Sequence, residues 1–280
     1  MDRVTTEINA LVASLHGRGR LRVWSIIISI FGDSVLPHGG TIAATTLGAI
    51  ADALRIEGGA LRSALSRLAK EGWIERHKVG RNSRYSLSPA GLEAFVPAAR
   101  RIYAADGPET PDNWTLAIRQ RGATQEPEGF VALGNGLFVK PADGETAADL
   151  DGFLLLEGGI PQIPDWVKNT LGPPEDAAAY HDIMRAFEPL ADSLRAGAPL
   201  SPLQAITART LLIHDWRRVV LRHPELPDRF FPDGWPASRC RAFVAELYSL
   251  LAPAAEEWLS AAPELSDAAD NEIARRFRPI

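Results

Sequence analysis

The sequence ALRSALSRLAKEGW, residues 60–73, has the pattern of a two-sided helix. At about 100° per residue, its leucines and alanines fall on one side and are expected to pack against a core. The opposite side carries only cations and hydroxyl groups, from Arg62, Ser63, Ser66, Arg67 and Lys70. Solvated helix faces usually mix Lys with Glu, which gives favourable i,i+4 pairs. Because guanidinium, ammonium and hydroxyl groups bond phosphate oxygens and guanine edges, this face indicates a helix that contacts DNA.

The segments around this helix follow one another in the order of a winged helix-turn-helix. The predicted elements are helices at 20–33, 45–54 and 60–73, a β-hairpin at 73–88 around the turn GRNS, and a helix at 89–103. Apolar periodicity predicts the helices, and the Gly-rich turn before residue 60 separates the second from the third. The hairpin has a basic tip, whose predicted contacts with the DNA backbone come from Lys78, Arg81 and Arg84.

Charge is distributed unevenly along the 280 residues. The first 104 residues carry 14 Lys and Arg against 8 Asp and Glu, a net charge of +6, whereas the rest carry 16 against 27, a net charge of −11. The net charge of the whole chain, −5, would by itself argue against a partner of negative charge. The asymmetry indicates that only the N-terminal part meets a polyanion. Chance scatter of surface charge is the alternative explanation.

Beyond residue 104 the composition changes. AADGPETPDN, residues 104–113, has the composition of a linker. Strand-like runs then predict a small α+β domain at 112–175, and helical patterns, one of them opened by Ser201 and Pro202, predict a helical domain at 176–280. With a winged-helix domain at 1–104, the predicted fold class is α+β.

Signals of catalysis or of a membrane are missing from the sequence. The histidines and Cys240 do not pair at metal-ligand spacing, and no H-E-x-x-H or G-x-S-x-G motif occurs. We therefore predict a protein that is not an enzyme, without catalytic residues, metal or cofactor. The most apolar run, residues 24–31, is shorter than the roughly 20 residues of a membrane helix. With no signal peptide and a single cysteine, a cytoplasmic protein is expected.

Several segments resemble the PaaX family, bacterial repressors of phenylacetic acid catabolism. They are SIIISIFGDSVLPHGG (25–40), ALRSALSRLAKEGWIE (60–75), GRNSRYSLSPAG (80–91), RRIYA (100–104), WRRVVLRHPELPDRFFPDGWP (216–236) and FVAELYSLLAPAAEEW (243–258). The resemblance implies an N-terminal winged helix, a central ferredoxin-like domain similar to the Cas2 fold, and a helical C-terminal domain. It also implies a homodimer on inverted-repeat operators in double-stranded DNA, released by an aryl-CoA thioester such as phenylacetyl-CoA.

An acyl-CoA effector would need cations beside an apolar cavity. The best candidates cluster next to the aromatic segment RFFPDGWP (229–236) and are Trp216, Arg217, Arg218 and Arg222. Arginines at the end of a helix also favour the helix dipole and cap its carbonyls, which is the structural alternative.

The chain departs from the family at one point. Family members usually have an Arg- and Leu-rich helix after the first central strand, whereas this chain has only QRGATQEPE (120–128). Three alternatives stay open: a winged-helix regulator that responds to a different effector, a winged helix used only for protein contacts, and a metal-dependent nuclease in the Cas2-like domain. For the nuclease, Asp112 precedes the first central strand without an obvious partner carboxylate.

Overall fold

The computed structural model describes residues 2–80, 82–142, 150–265 and 276–277. The chain divides into two compact units. The first unit comprises residues 1–106, 181–221 and 239–280, and the second unit comprises residues 107–180 and 222–238. Compactness does not identify which segments fold independently, so the division into domains at 1–104, 112–175 and 176–280 stays a prediction.

The described residues form helices and two antiparallel sheets, which confirms the α+β class. The helices are α1 (Arg3–Gly17), α2 (Val23–Ile30), α3 (Ala44–Ala53), α4 (Gly58–Lys70), α5 (Pro89–Ile102), α6 (Asp165–Leu171), α7 (Pro174–Arg195), α8 (Pro202–Val220) and α9 (Ala237–Ser260). The strands are β1 (Thr41–Ala43), β2 (Ile74–Val79), β3 (Asn82–Leu87), β4 (Trp114–Arg119), β5 (Val131–Gly134), β6 (Leu137–Pro141) and β7 (Phe153–Gly158).

The N-terminal elements of the first unit follow the predicted order. Helix α4 corresponds to the two-sided helix, and it ends where Gly72 adopts a left-handed conformation with φ of +77°. Strands β2 and β3 form the predicted hairpin, and α5 follows at once. The sheet gains a third strand, β1, in the order β1-β3-β2. Helices α2 and α3 pack against α4 and leave its polar face outward.

Three local predictions need correction. Helix α1 and strand β1 lie in segments for which no element was predicted. The segment GDSVLPHGG (32–40), whose proline and glycines predict a loop, instead belongs largely to a π-helical turn (Phe31–Val35) and a 3₁₀ turn (Leu36–His38) that continue from α2. Thr45 or Thr46 was predicted to cap the second helix, but α3 begins after Ala43 without a side-chain cap, and the hydroxyl of Thr46 donates to Glu264.

The π-helical turn places a carboxylate in the core of the first unit. Asp33 is 1% exposed and lies 2.7 Å from Nε of Arg209 and 2.9 Å from Nη1 of Arg276. The hydroxyl of Tyr103 donates to the same carboxylate at 2.8 Å. Burial alone would raise the pKa of Asp33, but the two guanidiniums and the Tyr103 hydroxyl hold it below its usual value. The cluster therefore joins α8, the end of α5 and the C-terminal segment around an ionised Asp33.

Helices α8 and α9, together with most of α7, complete the first unit. Ser201 caps α8 in a capping box with Gln204, and Pro202 occupies the first turn, as the sequence predicts. Helix α8 is buried on nearly every side, which suits a helix at the centre of a helical layer. Several of its buried polar side chains are paired with other segments of the unit: Asp215, for example, accepts two hydrogen bonds from Nη1 of Arg18, both at 2.8 Å.

The second unit is built on the sheet β5-β6-β4-β7. Strands β4, β6 and β7 match the strand-like runs predicted at 114–118, 137–139 and 153–156, whereas β5 was not predicted. The segment 120–128 between β4 and β5 contains turns and no helix, which agrees with the chain's departure from the family pattern at this point. One side of the sheet is left partly exposed, with Leu154 60%, Leu156 49% and Ile118 36% accessible.

Candidate nucleic-acid interface

Helix α4 presents its five predicted polar residues together on an open surface. Leu61, Ala64, Leu65 and Leu68 are buried beneath them. Arg62, Ser63, Ser66, Arg67 and Lys70 are all exposed and line one shallow depression, to which Glu71 also contributes. The helical spacing therefore brings together every α4 residue that the sequence singled out.

Arg67 is the most constrained cation on this surface. Its Nε lies 2.7 Å from a carboxylate oxygen of Glu71, one turn further along the chain. Its guanidinium carbon also lies 5.8 Å from the ring centroid of Trp24, on α2. Because an exposed i,i+4 pair stabilises a helix only by about 0.3–0.5 kcal/mol, it is readily exchanged for a contact with a phosphate or base.

The two serines differ in what they offer a ligand. The Ser63 hydroxyl donates to the carbonyl of Gly59 at 2.9 Å, so its proton is engaged while its lone pairs stay available as acceptors. Ser66 lies exposed in the same depression. Hydroxyls of this kind bond either phosphate oxygens or base edges.

The hairpin register separates the cations of the tip. Lys78 pairs with Ser83, and His77 pairs with Arg84. Since residues opposite one another share a face and neighbours along a strand alternate, Lys78 and Arg84 point to opposite faces of the hairpin. Lys78 is exposed and Arg84 is half-buried. Arg81, the third predicted tip residue, lies outside the described residues.

Two further hairpin residues were missed by the sequence interpretation. Arg76 is exposed on the same face as Lys78, and its guanidinium donates to the Ser83 hydroxyl at 2.8 and 3.0 Å. Nε2 of His77 lies 2.8 Å from the Ser86 hydroxyl on the other face. Strand alternation from Lys78 would have indicated Arg76, which extends the basic surface toward the base of the hairpin.

The hairpin is anchored to the helices through one polar junction. The Ser88 hydroxyl accepts from the Gly91 amide at 2.9 Å, which caps α5, and donates to the Gly72 carbonyl at the end of α4. Gly91 lies so close to Trp73 that a Cβ atom there would be 2.3 Å from the Trp73 carbonyl oxygen. This junction fixes where the hairpin stands relative to α4.

The four effector candidates lie in different surroundings. Trp216 is buried, and its indole N–H donates to the Ile102 carbonyl at 2.8 Å. Arg217 is half-buried and hydrogen-bonded to serines of α2, whereas Arg218 and Arg222 are exposed. The Arg217 guanidinium was predicted to contact an effector, and the structure gives it a defined setting beside an apolar cavity.

The sequence predicts neither a metal site nor a membrane-spanning helix, and the described residues can be compared with both predictions. Within the described ranges, no group of three or more His, Cys, Asp or Glu side chains is placed to hold a metal ion. None of the helices in the part of the chain that the structure describes has the length and apolar character to cross a bilayer.

The chain is similar to known proteins in both sequence and structure. The family model described as "PaaX-like protein" matches residues 22–91, and "PaaX-like protein C-terminal domain" matches residues 174–261. "Transcriptional repressor PaaX" of Escherichia coli (strain K12) is 33% identical over 267 residues, which cover 86% of this chain and 84% of that protein. A solved structure, "Uncharacterized protein Rv0674 from Mycobacterium tuberculosis", has a TM-score of 0.53 and 17% identity over 85% of this chain and 97% of that one, which shows a shared fold. The identity to the repressor over most of both chains shows that this chain belongs to the PaaX family.

Proposed function

We propose that this protein is a transcriptional repressor that binds DNA through a winged helix-turn-helix with α4 as the recognition helix. The observation that carries the proposal is the α4 surface, where five exposed cations and hydroxyls share one depression. The adjoining sheet β1-β3-β2 supports the winged arrangement, with the β2–β3 hairpin as the wing. The family relative is described as a transcriptional repressor, which supports the same function here.

In this proposal α4 enters the major groove and the wing follows the backbone. Arg62, Ser63, Ser66, Arg67 and Lys70 read base edges or bond phosphates, and Lys78, Arg81 and Arg84 bond phosphates. Lys78 and Arg84 point to opposite faces of the hairpin. They therefore cannot both bond phosphates of the same DNA strand. Arg76, on the face of Lys78, is the additional phosphate ligand.

We further propose a homodimer on an inverted-repeat operator, with the second unit as a reduced ferredoxin-like, Cas2-like domain. The sheet order β5-β6-β4-β7 with antiparallel pairing supports the ferredoxin-like assignment. The exposed apolar side of that sheet, at Ile118, Leu154 and Leu156, supports burial against a second copy. Two-fold symmetry then places half-sites about one helical turn of DNA, or a multiple, apart.

The family resemblance supports a proposal for the regulated genes and for the effector. We propose repression of aromatic, phenylacetate-type catabolism that is relieved by an aryl-CoA such as phenylacetyl-CoA. Exposed Arg218 is available to a phosphate group, and so is exposed Arg222. A regulator that answers to a different effector is the alternative. Release of a purified protein–DNA complex by phenylacetyl-CoA, measured by anisotropy, distinguishes the two.

The experiment that tests the repressor proposal is selection from a random duplex library with the full chain. A repressor of this kind enriches an inverted repeat, and binding to it weakens steeply as salt rises, because phosphate contacts release counterions. Sedimentation of the complex measures whether two chains bind one duplex. Failure to enrich any sequence would overturn the proposal and favour a winged helix used for protein contacts.

A further inference from the structure

A turn rich in arginine leads into α2. Arg18, Arg20 and Arg22 occupy alternate positions between α1 and α2, and all three are exposed. Arg20 and Arg22 fall within the helix predicted at 20–33, whereas α2 itself begins at Val23. Because these arginines precede the first turn of the helix, helical periodicity could not assign them to a face, and the sequence did not indicate a role for them.

Contacts at both ends hold this turn against α8. At its start, Nη1 of Arg18 lies 2.8 Å from both carboxylate oxygens of Asp215. After its end, Nη2 of Arg217 donates to the hydroxyl and the carbonyl of Ser25, both at 2.6 Å. Arg218 is exposed, and because it lies three residues beyond Asp215 it is on the side of α8 that holds Arg18. Arg20, Arg22 and Arg218 thus form a second basic surface.

The same turn adjoins α4, the proposed recognition helix. Trp24 comes two residues after Arg22, and its ring centroid lies 5.8 Å from the guanidinium carbon of Arg67. Two residues of chain span at most about 7 Å, and four span at most about 14 Å, so the Cα atoms of Arg22 and Arg20 lie within these distances of Trp24. Since a major groove is about 12 Å wide, cations this close to a side chain in the groove stand beside its phosphate rim.

The second basic surface carries excess positive charge among the described residues. No ion pair or hydrogen bond joins Arg20, Arg22 or Arg218 to a described residue. Burial raises the pKa of Asp215, and the charges of Arg18 and Arg218 oppose that rise, so this carboxylate is already shared between two guanidiniums. Exposed guanidiniums without a carboxylate of their own are well suited to phosphate oxygens, which they can bond in bidentate pairs.

We propose that the second basic surface bonds the phosphate backbone of DNA along the rim of the groove that α4 enters. Its contribution is to affinity and register, since phosphate contacts position a protein on the duplex and carry no sequence information directly. Base reading stays with α4. The inference rests on the proposed function, because it needs α4 in the groove, and it adds contacts from the turn before α2 and from α8.

The double variant Arg20→Gln/Arg22→Gln tests the inference on a duplex selected by the wild-type protein. We expect it to bind about tenfold more weakly or worse at about 0.1 M salt. The slope of log affinity against log salt should become shallower by about 2, because each lost phosphate contact removes about 0.9. The loss should be the same for the selected duplex and for a scrambled one, since phosphates are common to both.

The matched control is Arg3→Gln/Arg185→Gln. It removes two positive charges from exposed arginines on α1 and α7, each paired within its own helix. Arg3 lies at the far end of the 15-residue α1, about 20 Å along the helix from the turn. The control should keep the wild-type affinity and salt slope. An equal change in both double variants would show an effect of net charge alone and would overturn the inference.

Neutral methylphosphonate linkages, introduced one at a time, locate the contacts on the DNA. Some of them should weaken wild-type binding about threefold or more and leave Arg20→Gln/Arg22→Gln unaffected, because the variant has already lost those contacts. If every linkage weakened the two proteins equally, these arginines would not touch the backbone. Unchanged DNA affinity of the variant, with loss of binding to free coenzyme A, would assign the surface to a soluble phosphate and likewise overturn the inference.

Failure of the inference and failure of the proposed function give different results. A wild-type protein that selects no duplex would overturn the proposed function and the inference with it. A selected duplex that wild type and Arg20→Gln/Arg22→Gln bind equally well, with the same salt slope, would overturn the inference alone.

Discussion

Asp33 is buried between two guanidiniums. This pairing determines how far the free energy of unfolding should fall when the carboxylate is removed. Replacing Asp33 with Asn leaves Arg209 and Arg276 in the core without their shared carboxylate. Breaking a buried ion pair by removing one partner typically costs about 3–5 kcal/mol. We expect Asp33→Asn to lower the free energy of unfolding by that amount in denaturant titrations.

The matched control is Asp182→Asn. Asp182 is an exposed carboxylate that pairs with Arg185 at 2.9 Å within one helix, and such pairs contribute about 0–1 kcal/mol. A similar loss of unfolding free energy in both variants would show that the buried cluster stabilises the protein no more than an exposed ion pair does.

The buried imidazole of His214 should make the folded protein less stable in mild acid. It is 3% exposed, its Nδ1 lies 3.1 Å from the Ser29 hydroxyl, and burial together with Arg217 and Arg218 lowers its pKa to about 3. Unfolded His214 binds a proton near pH 6.5, whereas the folded protein does not until about pH 3. The unfolded state therefore holds more protons between these values, and the free energy of unfolding falls as pH falls through this window.

The expected loss is about 1–2 kcal/mol between pH 6.5 and 5, since one proton corresponds to about 1.4 kcal/mol per pH unit. Urea titrations of the wild type and of His214→Gln at several pH values measure it. The variant should lose less stability than the wild type over the same interval. Parallel pH profiles for the two proteins would rule out His214 as the responsible group.

Sequence reasoning was more successful with the exposed face of α4 than with charges inside the protein. The five α4 residues follow from helical periodicity alone, because a run of consecutive residues fixes their angles. The pairing of Arg67 with Glu71 is also local, and the sequence shows Glu71 at the border of the face. By contrast, Asp33 meets Arg209 and Arg276 only through tertiary packing, and no local pattern indicates such a contact.

At the level of elements, the junction between the hairpin and α5 depends on a single glycine. An alanine at Gly91 would place Cβ 2.3 Å from the Trp73 carbonyl oxygen, so the backbone must shift. We expect Gly91→Ala to lower the free energy of unfolding by about 1–3 kcal/mol, the usual cost of overpacking. Gly48→Ala is the control, because Gly48 lies within α3 and a Cβ atom there would meet open space. It should be neutral or stabilise by about 0.5–1 kcal/mol.

Thermal or urea unfolding of the two glycine variants separates these effects. If Gly91→Ala were as stable as Gly48→Ala, the close approach of α5 to Trp73 would not constrain the hairpin.

Among the elements that sequence analysis missed, the strands are short and depend on partners, whereas the 15-residue helix α1 was missed although its Asp2 cap is a local signal. Strands β1 and β5 have three and four residues, and each exists because a neighbouring strand supplies its hydrogen bonds. The π-helical turn at Phe31–Val35 carries Gly32 and Asp33, which by composition predict a loop. There the tertiary contacts of Asp33 outweigh local preference. Long elements with clear periodicity or caps, such as α4 and α8, were predicted correctly.

At the scale of the whole molecule, binding DNA requires a local surface to overcome an unfavourable overall charge. The chain has a net charge of −5, yet the α4 cations Arg62, Arg67 and Lys70 share one exposed surface. Attraction to phosphates falls off within about 10 Å at 0.1 M salt, so nearby cations count for more than distant carboxylates. The family membership and the α4 surface both support this function.

The most direct measurement is the affinity of Arg67→Ala for a duplex selected by the wild-type protein, compared with Arg185→Ala. Both arginines are exposed and paired with a carboxylate on their own helix, but only Arg67 lies on the α4 surface. We predict that Arg67→Ala weakens specific binding by about 1–3 kcal/mol, roughly five- to 150-fold, and that Arg185→Ala leaves it unchanged. Wild-type affinity in Arg67→Ala, or an equal loss in both variants, would contradict the assignment of α4 as the DNA-binding helix.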